Sequence, residues 1–202
     1  MIVVDCETTG LNPRKNSIVS IGALDFYYPH NKFYEECRIW EGAEIEQTAL
    51  DVNGFKKEQI KDPNKKSLEQ VIKEFLEWTN SCFDIIFAGE NPRFDIDFLK
   101  ESADRYNIIF KFTLRSIDLH SICTSHYIRR GITPPLKDRR TDLNSDKILN
   151  YVGLPSEPKP HNALTGAKME AEAFSRLICG RGLLDEFSTL EIPVYLKIEK
   201  NI

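Results

Sequence analysis

Three short strand-like runs bounded by turn residues open this chain, the first two apolar and the third mixed, and amphipathic stripes with a 3.6-residue period follow them. Residues 1–4 are all apolar and predict a strand buried on both faces, which Thr8, Thr9 and Gly10 close with turn chemistry. A polar turn over 11–16 leads to a second strand over 17–26. A hairpin connection over 28–31 then gives a third strand over 32–40, whose mixed composition suits a sheet edge. The short links favour antiparallel pairing of the three. A short helix over 44–52, stopped by Asn53 and Gly54, precedes a stronger one over 67–79. Ser67 can cap that helix, and Leu68, Val71, Ile72, Phe75, Leu76 and Trp78 form its stripe.

A buried strand over 84–89 runs into Asn91, a good helix cap, and Pro92, a preferred first helical residue. Phe94, Phe98, Leu99, Ala103 and Tyr106 form the inward stripe of the helix that follows. The pattern then predicts a last strand over 110–117, a helix over 118–127, a loop over 129–140 and a helix over 142–152 ended by Gly153. An alanine-rich helix spans 162–178, with His161 just before it. The loop concentrates five basic residues and reads either as a solvated loop or as a phosphate-contacting surface. One domain over 1–180 is expected, with a tail over 181–202. The strand-like part of that tail, 194–198, would be an added edge strand, a partner contact or a frayed end.

The 202 residues suffice for one full core, and 41% hydrophobic with 29% charged residues is ordinary for a globular protein. A net charge of −4 gives no whole-molecule attraction to nucleic acid, so a polyanion partner would need a local basic patch. No apolar run approaches membrane-spanning length, and a first strand starting at Met1 leaves no room for a signal peptide. Five widely spaced cysteines without a C-x-x-C pair suggest neither a disulfide framework nor a zinc site. A cytoplasmic setting is expected, with no membrane association.

The chemistry begins in the first strand. Side chains alternate along it, so Asp5 and Glu7 share a face with Val3. Two acids at the end of a buried strand repel each other and lose hydration, and a divalent cation would compensate both. Asp95 lies in the first turn of its helix at the rim of the apolar stripe. It is either a second ligand or an acid placed there by the helix dipole alone. A lone histidine before a helix, as at His161, is by itself an ordinary cap or surface residue.

Three motifs stand in order: Asp5-x-Glu7-Thr8-Thr9-Gly10, Asn91-x-x-Phe94-Asp95-x-x-Phe98, and His161-x-Ala163-x-x-Gly166-Ala167. Together they resemble the DEDD superfamily of 3′→5′ exonucleases in its histidine branch, which includes ribonuclease T and bacterial proofreading subunits. The resemblance covers about residues 1–178 and takes in the Ala49-to-Gly54 segment. It implies an α/β, ribonuclease H-like fold: a mixed five-stranded sheet, three strands antiparallel and two parallel, flanked by helices. It also implies two Mg²⁺ or Mn²⁺ ions that clamp the scissile phosphate. Asp5 would touch both ions and Glu7 one, Asp95 would complete the ligand set, and His161 would be the general base. Thr8, Thr9, Gly10, Asn91, Phe94 and Phe98 would contact a single-stranded DNA or RNA 3′ end, with the 129–140 loop on its phosphates. A homodimer or a polymerase partner is implied as well.

One position departs from the family. Gly166 stands where the third motif carries a metal-binding aspartate, so one of the two ions would be lost or weak. Glycine inside a helix costs about 1 kcal/mol relative to alanine and is not there for folding. Glu170, four residues on along the same helical face, is a candidate stand-in with a longer side chain. Two other readings compete with a working nuclease. One is a catalytically inactive module that holds 3′ ends, or a non-catalytic subunit of the same fold; the other is a metal-dependent phosphatase of unrelated fold.

Overall fold

The computed structural model describes residues 1–112 and 115–197. Along the chain run β1 Ile2–Thr8, β2 Ile18–Asp25, β3 Lys32–Glu36, α1 Gln47–Asn53, α2 Lys57–Ile60 and α3 Leu68–Thr79. Then come β4 Phe87–Gly89, α4 Pro92–Arg105, β5 Ser116–Asp118, α5 Leu119–Arg129, β6 Leu136–Lys137, β7 Arg140–Thr141, α6 Ser145–Tyr151 and α7 Ala163–Cys179. The main sheet has five strands in the order β3-β2-β1-β4-β5. Pairing of β1 with β2 and of β2 with β3 is antiparallel, while β4 pairs in parallel with both β1 and β5. The expected mixed sheet, with β3 at its edge, is the one observed.

Alternation along β1 builds two cores. Ile2, Val4 and Cys6 pack with Val71, Ile72 and Phe75 of α3 and Ile96 and Leu99 of α4. Met1 and Val3 pack on the opposite face with Cys123 of α5, Ile148 of α6 and Ala167, Ala171 and Phe174 of α7. A strand apolar on both sides is thereby sandwiched between helical layers. The long helix α7 lies directly on β2, because a Cβ at Gly22 would stand 2.1 Å from the Ala163 carbonyl carbon. Gly22 pairs with Asp5 across the β1–β2 ladder, so this close approach sets the first turn of α7 over Asp5.

Several expected elements differ. The third strand stops at Glu36, and Arg38 makes only an isolated bridge to Ser67. Of the strand expected over 110–117, only Ser116 and Ile117 lie in β5, and residues 113 and 114 fall outside the described ones. Phe110 and Phe112 instead set their rings 6.3 and 4.6 Å from that of Phe87. The basic loop contains the β6–β7 hairpin, turned by Asp138 and Arg139 with φ of 49° and 64°, as a two-residue hairpin turn requires.

Among its described residues the tail contributes no strand: Val194–Leu196 is a 3₁₀ turn, and Ile198 lies outside the described residues. The part of the tail before that turn is held by a buried ion pair on α7. Arg176 Nε donates to Glu172 Oε1 at 2.8 Å, while the rest of the guanidinium donates to the carbonyls of Val152, Gly153, Phe187, Leu190 and Glu191. Glu172 Oε2 accepts from the Leu183 and Leu184 amides. The segment after α7 is thus wrapped on that helix by its backbone, and Leu184 and Leu196 join the core.

Candidate active site

The acids converge at the end of β1. Asp5 and Glu7 leave the strand on the face of Val3, toward α7. Asp95 comes from the first turn of α4, where Oδ1 accepts a 2.9 Å hydrogen bond from the Cys6 backbone N–H, between the two strand acids. Asp95 is buried. Asn91 does precede α4, but its side chain makes no cap. Its backbone is left-handed at φ 52°, and its N–H donates to Asp118 Oδ1 at 3.3 Å. That tight turn, one asparagine tolerates better than most residues, carries the chain from β4 into the helix start that presents Asp95.

His161 is fixed by its own N–H, which donates to the Val52 carbonyl at 3.0 Å. Its Nδ1 lies 3.5 Å from Glu157 Oε2. Glu157 is a site residue that the sequence motifs did not reveal. It sits in the irregular segment before α7, where no periodicity shows which way a side chain points. Glu7, Glu157 and His161 each offer a ligand atom within 4.8 Å of the others.

The charges acting on these acids are chiefly one another's. Burial holds the Asp5 carboxyl well above its ordinary range, and Glu170, Asp95, Glu7 and Glu157 push it further the same way. Burial raises Glu7 from 4.5 to about 7, with Glu157 adding to it. Asp95 is raised by burial to about 8, against the opposing pull of its hydrogen bond from Cys6. Glu157 is raised by burial too, partly offset by the charge of His161.

Gly166 faces this cluster. A Cβ there would stand 2.1 Å from Asp5 Oδ2 and 3.5 Å from Glu157 Oε1. One turn further along α7, Glu170 is 8% exposed, and its Oε2 is buried without a hydrogen-bond partner. That oxygen lies 3.2 Å from where a Cβ on Gly89, at the end of β4, would be. Burial holds the Glu170 carboxyl well up, and Asp95 adds to this. Carboxylate oxygens with one imidazole are a donor set for hard divalent ions such as Mg²⁺ or Mn²⁺. The orphaned oxygen of Glu170 is the mark of such a fit.

The expected substrate contacts divide. Phe98 is 1% exposed and fills the core under α4, so its ring is not open to a base. Phe94, half-buried, rests 4.9 Å from the Phe98 ring and keeps the outer position. Thr9 is fully buried, donating from Oγ1 to the Glu44 carbonyl and accepting from the Ser17 N–H, so its hydroxyl is committed to the fold. Thr8 is buried with its hydroxyl on the Gly10 carbonyl, and Gly10 is itself buried against Asn16 and Glu46. Asn91 is exposed and lines an open cleft of about 480 Å³ with Glu90, Arg93, Asp118 and His120.

Residues 2–174 match the profile of the RNase T family, described as exonuclease. The PolC-type DNA polymerase III of Thermotoga maritima is 32% identical over 177 residues, covering 88% of this chain and 12% of the polymerase. That of Streptococcus sanguinis is 26% identical over 152 residues, 74% of this chain and 10% of the polymerase. The chain therefore spans about a tenth of the length of these relatives. Among solved structures, the nuclease domain of 3′hExo, a DEDDh family member bound to rAMP, superposes with a TM-score of 0.68 at 15% identity, covering 95% of this chain and 94% of that one. E. coli Exonuclease I in complex with a 5cy-dT13 oligonucleotide gives a TM-score of 0.68 at 16% identity, covering 89% of this chain and 40% of that one.

Proposed function

The chain belongs to the RNase T exonuclease family, and from that premise we propose that it removes nucleotides from single-stranded DNA or RNA 3′ ends by metal-dependent hydrolysis. The observation that carries this reading is the group of Glu7, Glu157 and His161, whose ligand atoms lie within 4.8 Å of one another, at the end of β1 where Asp5 and Asp95 also stand. Bound Mg²⁺ or Mn²⁺ supplies charge neutralisation at the phosphate and a water that ionises near neutral pH. Asp5, Glu7 and Asp95 would hold two such ions. The Cys6 N–H orients Asp95, so that its position is set by β1 as well as by α4. Glu157 faces Nδ1 of His161 and holds the ring, leaving the imidazole to accept the proton of the attacking water at its other nitrogen. Phe94 and Asn91 stand at the exposed rim where a terminal base and sugar would rest. The exposed arginines and lysine of the 129–140 segment offer the phosphate contacts that the net charge does not.

The likeness to PolC-type polymerases supports a polymerase as partner. Five free cysteines support a reducing, cytoplasmic setting, and no helix among the described residues is long and apolar enough to cross a membrane. Gly166 favours a second reading, a module that holds 3′ ends without cutting them. Incubating 5′-labelled single-stranded DNA and RNA with Mn²⁺ separates the two. A nuclease gives a ladder shortening from the 3′ end that Asp5→Asn reduces by about 10³-fold or more and His161→Ala by about 10²–10⁴-fold. Retention of the labelled strand without shortening would establish the binding module.

A further inference from the structure

At Gly166 the backbone of α7 passes so near β1 that Asp5 Oδ2 occupies the place of a side chain. A carboxylate at 166 and the present Asp5 rotamer exclude each other. One helical turn on, on the same face, Glu170 is buried with Oε2 unpartnered. Leaving a carboxylate oxygen in the interior without a donor is unfavourable, and no fold requirement of α7 explains it. The room for it is built from two sides. Gly89 lacks the Cβ that would stand 3.2 Å from Oε2, and Gly166 lets the Asp5 carboxylate lie against the helix. The point where that Gly89 Cβ would be also lies 3.2 Å from the Val4 carbonyl oxygen, so Oε2 stands against β1 where that strand presents Asp5.

We propose that Glu170 supplies the cation-binding carboxylate that position 166 does not carry, so that this chain's ligand set is Asp5, Glu7, Asp95 and Glu170. The proposal rests on the metal-dependent reading of the site. It makes Gly166 part of a rearranged site rather than a loss: the acid has moved one turn along α7, and glycine at 166 gives Asp5 the space that the move leaves. Its longer side chain lets Glu170 reach toward Asp5 from a more distant Cα.

The test is calorimetric titration of the full chain with Mn²⁺ alone, with the metal-free melting temperature measured beside it. Glu170→Gln keeps the shape and removes the charge, so it should fold. It is expected to weaken Mn²⁺ at least about tenfold, since even groups that only orient a ligand cost 10–100-fold. It should also raise the metal-free melting temperature, because an unpaired buried acid is gone. Gly166→Asp combined with Glu170→Gln should recover part of the lost affinity by restoring an acid to the helix. Glu170→Gln that binds Mn²⁺ as tightly as the parent overturns the inference and leaves the exonuclease reading standing. A parent chain that binds no Mn²⁺, with Asp5→Asn indistinguishable from it, overturns the metal reading itself and the inference with it.

Discussion

Two buried glutamates sit two residues apart on α7 and are treated in opposite ways. Glu172, fully buried, has its Oε1 on Arg176 and its Oε2 on two backbone amides. Glu170, almost as buried, has an oxygen with no partner and acids for neighbours. Two residues turn a helix by about 200°, so the pair points to opposite sides, one to the wrapped C-terminal segment and the other to the ends of β1 and β4. The chain gives both oxygens of Glu172 their donors, whereas Glu170 receives only the Glu90 backbone N–H and its Oε2 is left without one. A buried acid with a full set of donors holds a fold together; one without is held for something the protein binds.

The largest effect expected from this contrast is on the structural side. Arg176→Met leaves Glu172 buried without its cation, holding only the two amides on Oε2, and withdraws the donors of five carbonyls. It should cost about 3–5 kcal/mol in urea unfolding, as removing one partner of a buried pair does. A loss under about 1 kcal/mol would erase the distinction between the two glutamates.

A smaller effect reads the acid cluster beside Glu170 by pH. Glu7 rises from 4.5 to about 7 and Asp95 from 3.8 to about 8 in the metal-free fold. Folded values above the unfolded ones mean that the folded state binds more protons. The contribution to stability is therefore whole below the ordinary carboxylate range and is lost as pH climbs through about 7 to 8. Between pH 5 and pH 8 the metal-free protein should lose more than about 1.4 kcal/mol, the equivalent of one unit, or about 3–5 °C in melting temperature. Glu7→Gln should flatten that slope. Saturating Mn²⁺ should flatten it too, since it binds the ionised acids. A metal-free melting temperature that rises over this range would mean the acids are compensated by charges of the protein itself.

The two sides were unequally legible in the sequence. Alternation in β1 puts Asp5 and Glu7 on one face whatever the tertiary fold, and motif order brings in Asp95 and His161. Gly166 stands out because it breaks the pattern around it. Glu157 was not legible, since a coil has no period from which to infer a direction. Glu172 and Arg176, at i and i+4, look in sequence like any exposed helix pair; only the folded-back carbonyls of 187–191 reveal that the arginine is buried. Phe98 lies on the inward stripe of its helix, and that position outweighs the motif's suggestion of base stacking. Asn91 has the chemistry of a cap, yet the tight exit from β4 takes its backbone left-handed and spends its N–H on Asp118.

The smallest effect concerns a second charged pair on the same helix. Lys168 Nζ lies 3.1 Å from Glu186 Oε2, joining α7 to the same C-terminal segment that Arg176 holds. The geometry of contact resembles that of Arg176 with Glu172, but here the carboxylate side chain is 44% exposed and water can replace either partner. Little desolvation was incurred in forming the pair, so little is left uncompensated when it is broken. Lys168→Ala should change unfolding free energy by less than about 1 kcal/mol, and raising the salt concentration should shrink even that. If Lys168→Ala were as damaging as Arg176→Met, anchoring of the C-terminal segment as such would explain both results. Burial of Glu172 would then no longer be the cause, and the argument that reads the unpartnered Glu170 as a ligand would lose its internal control.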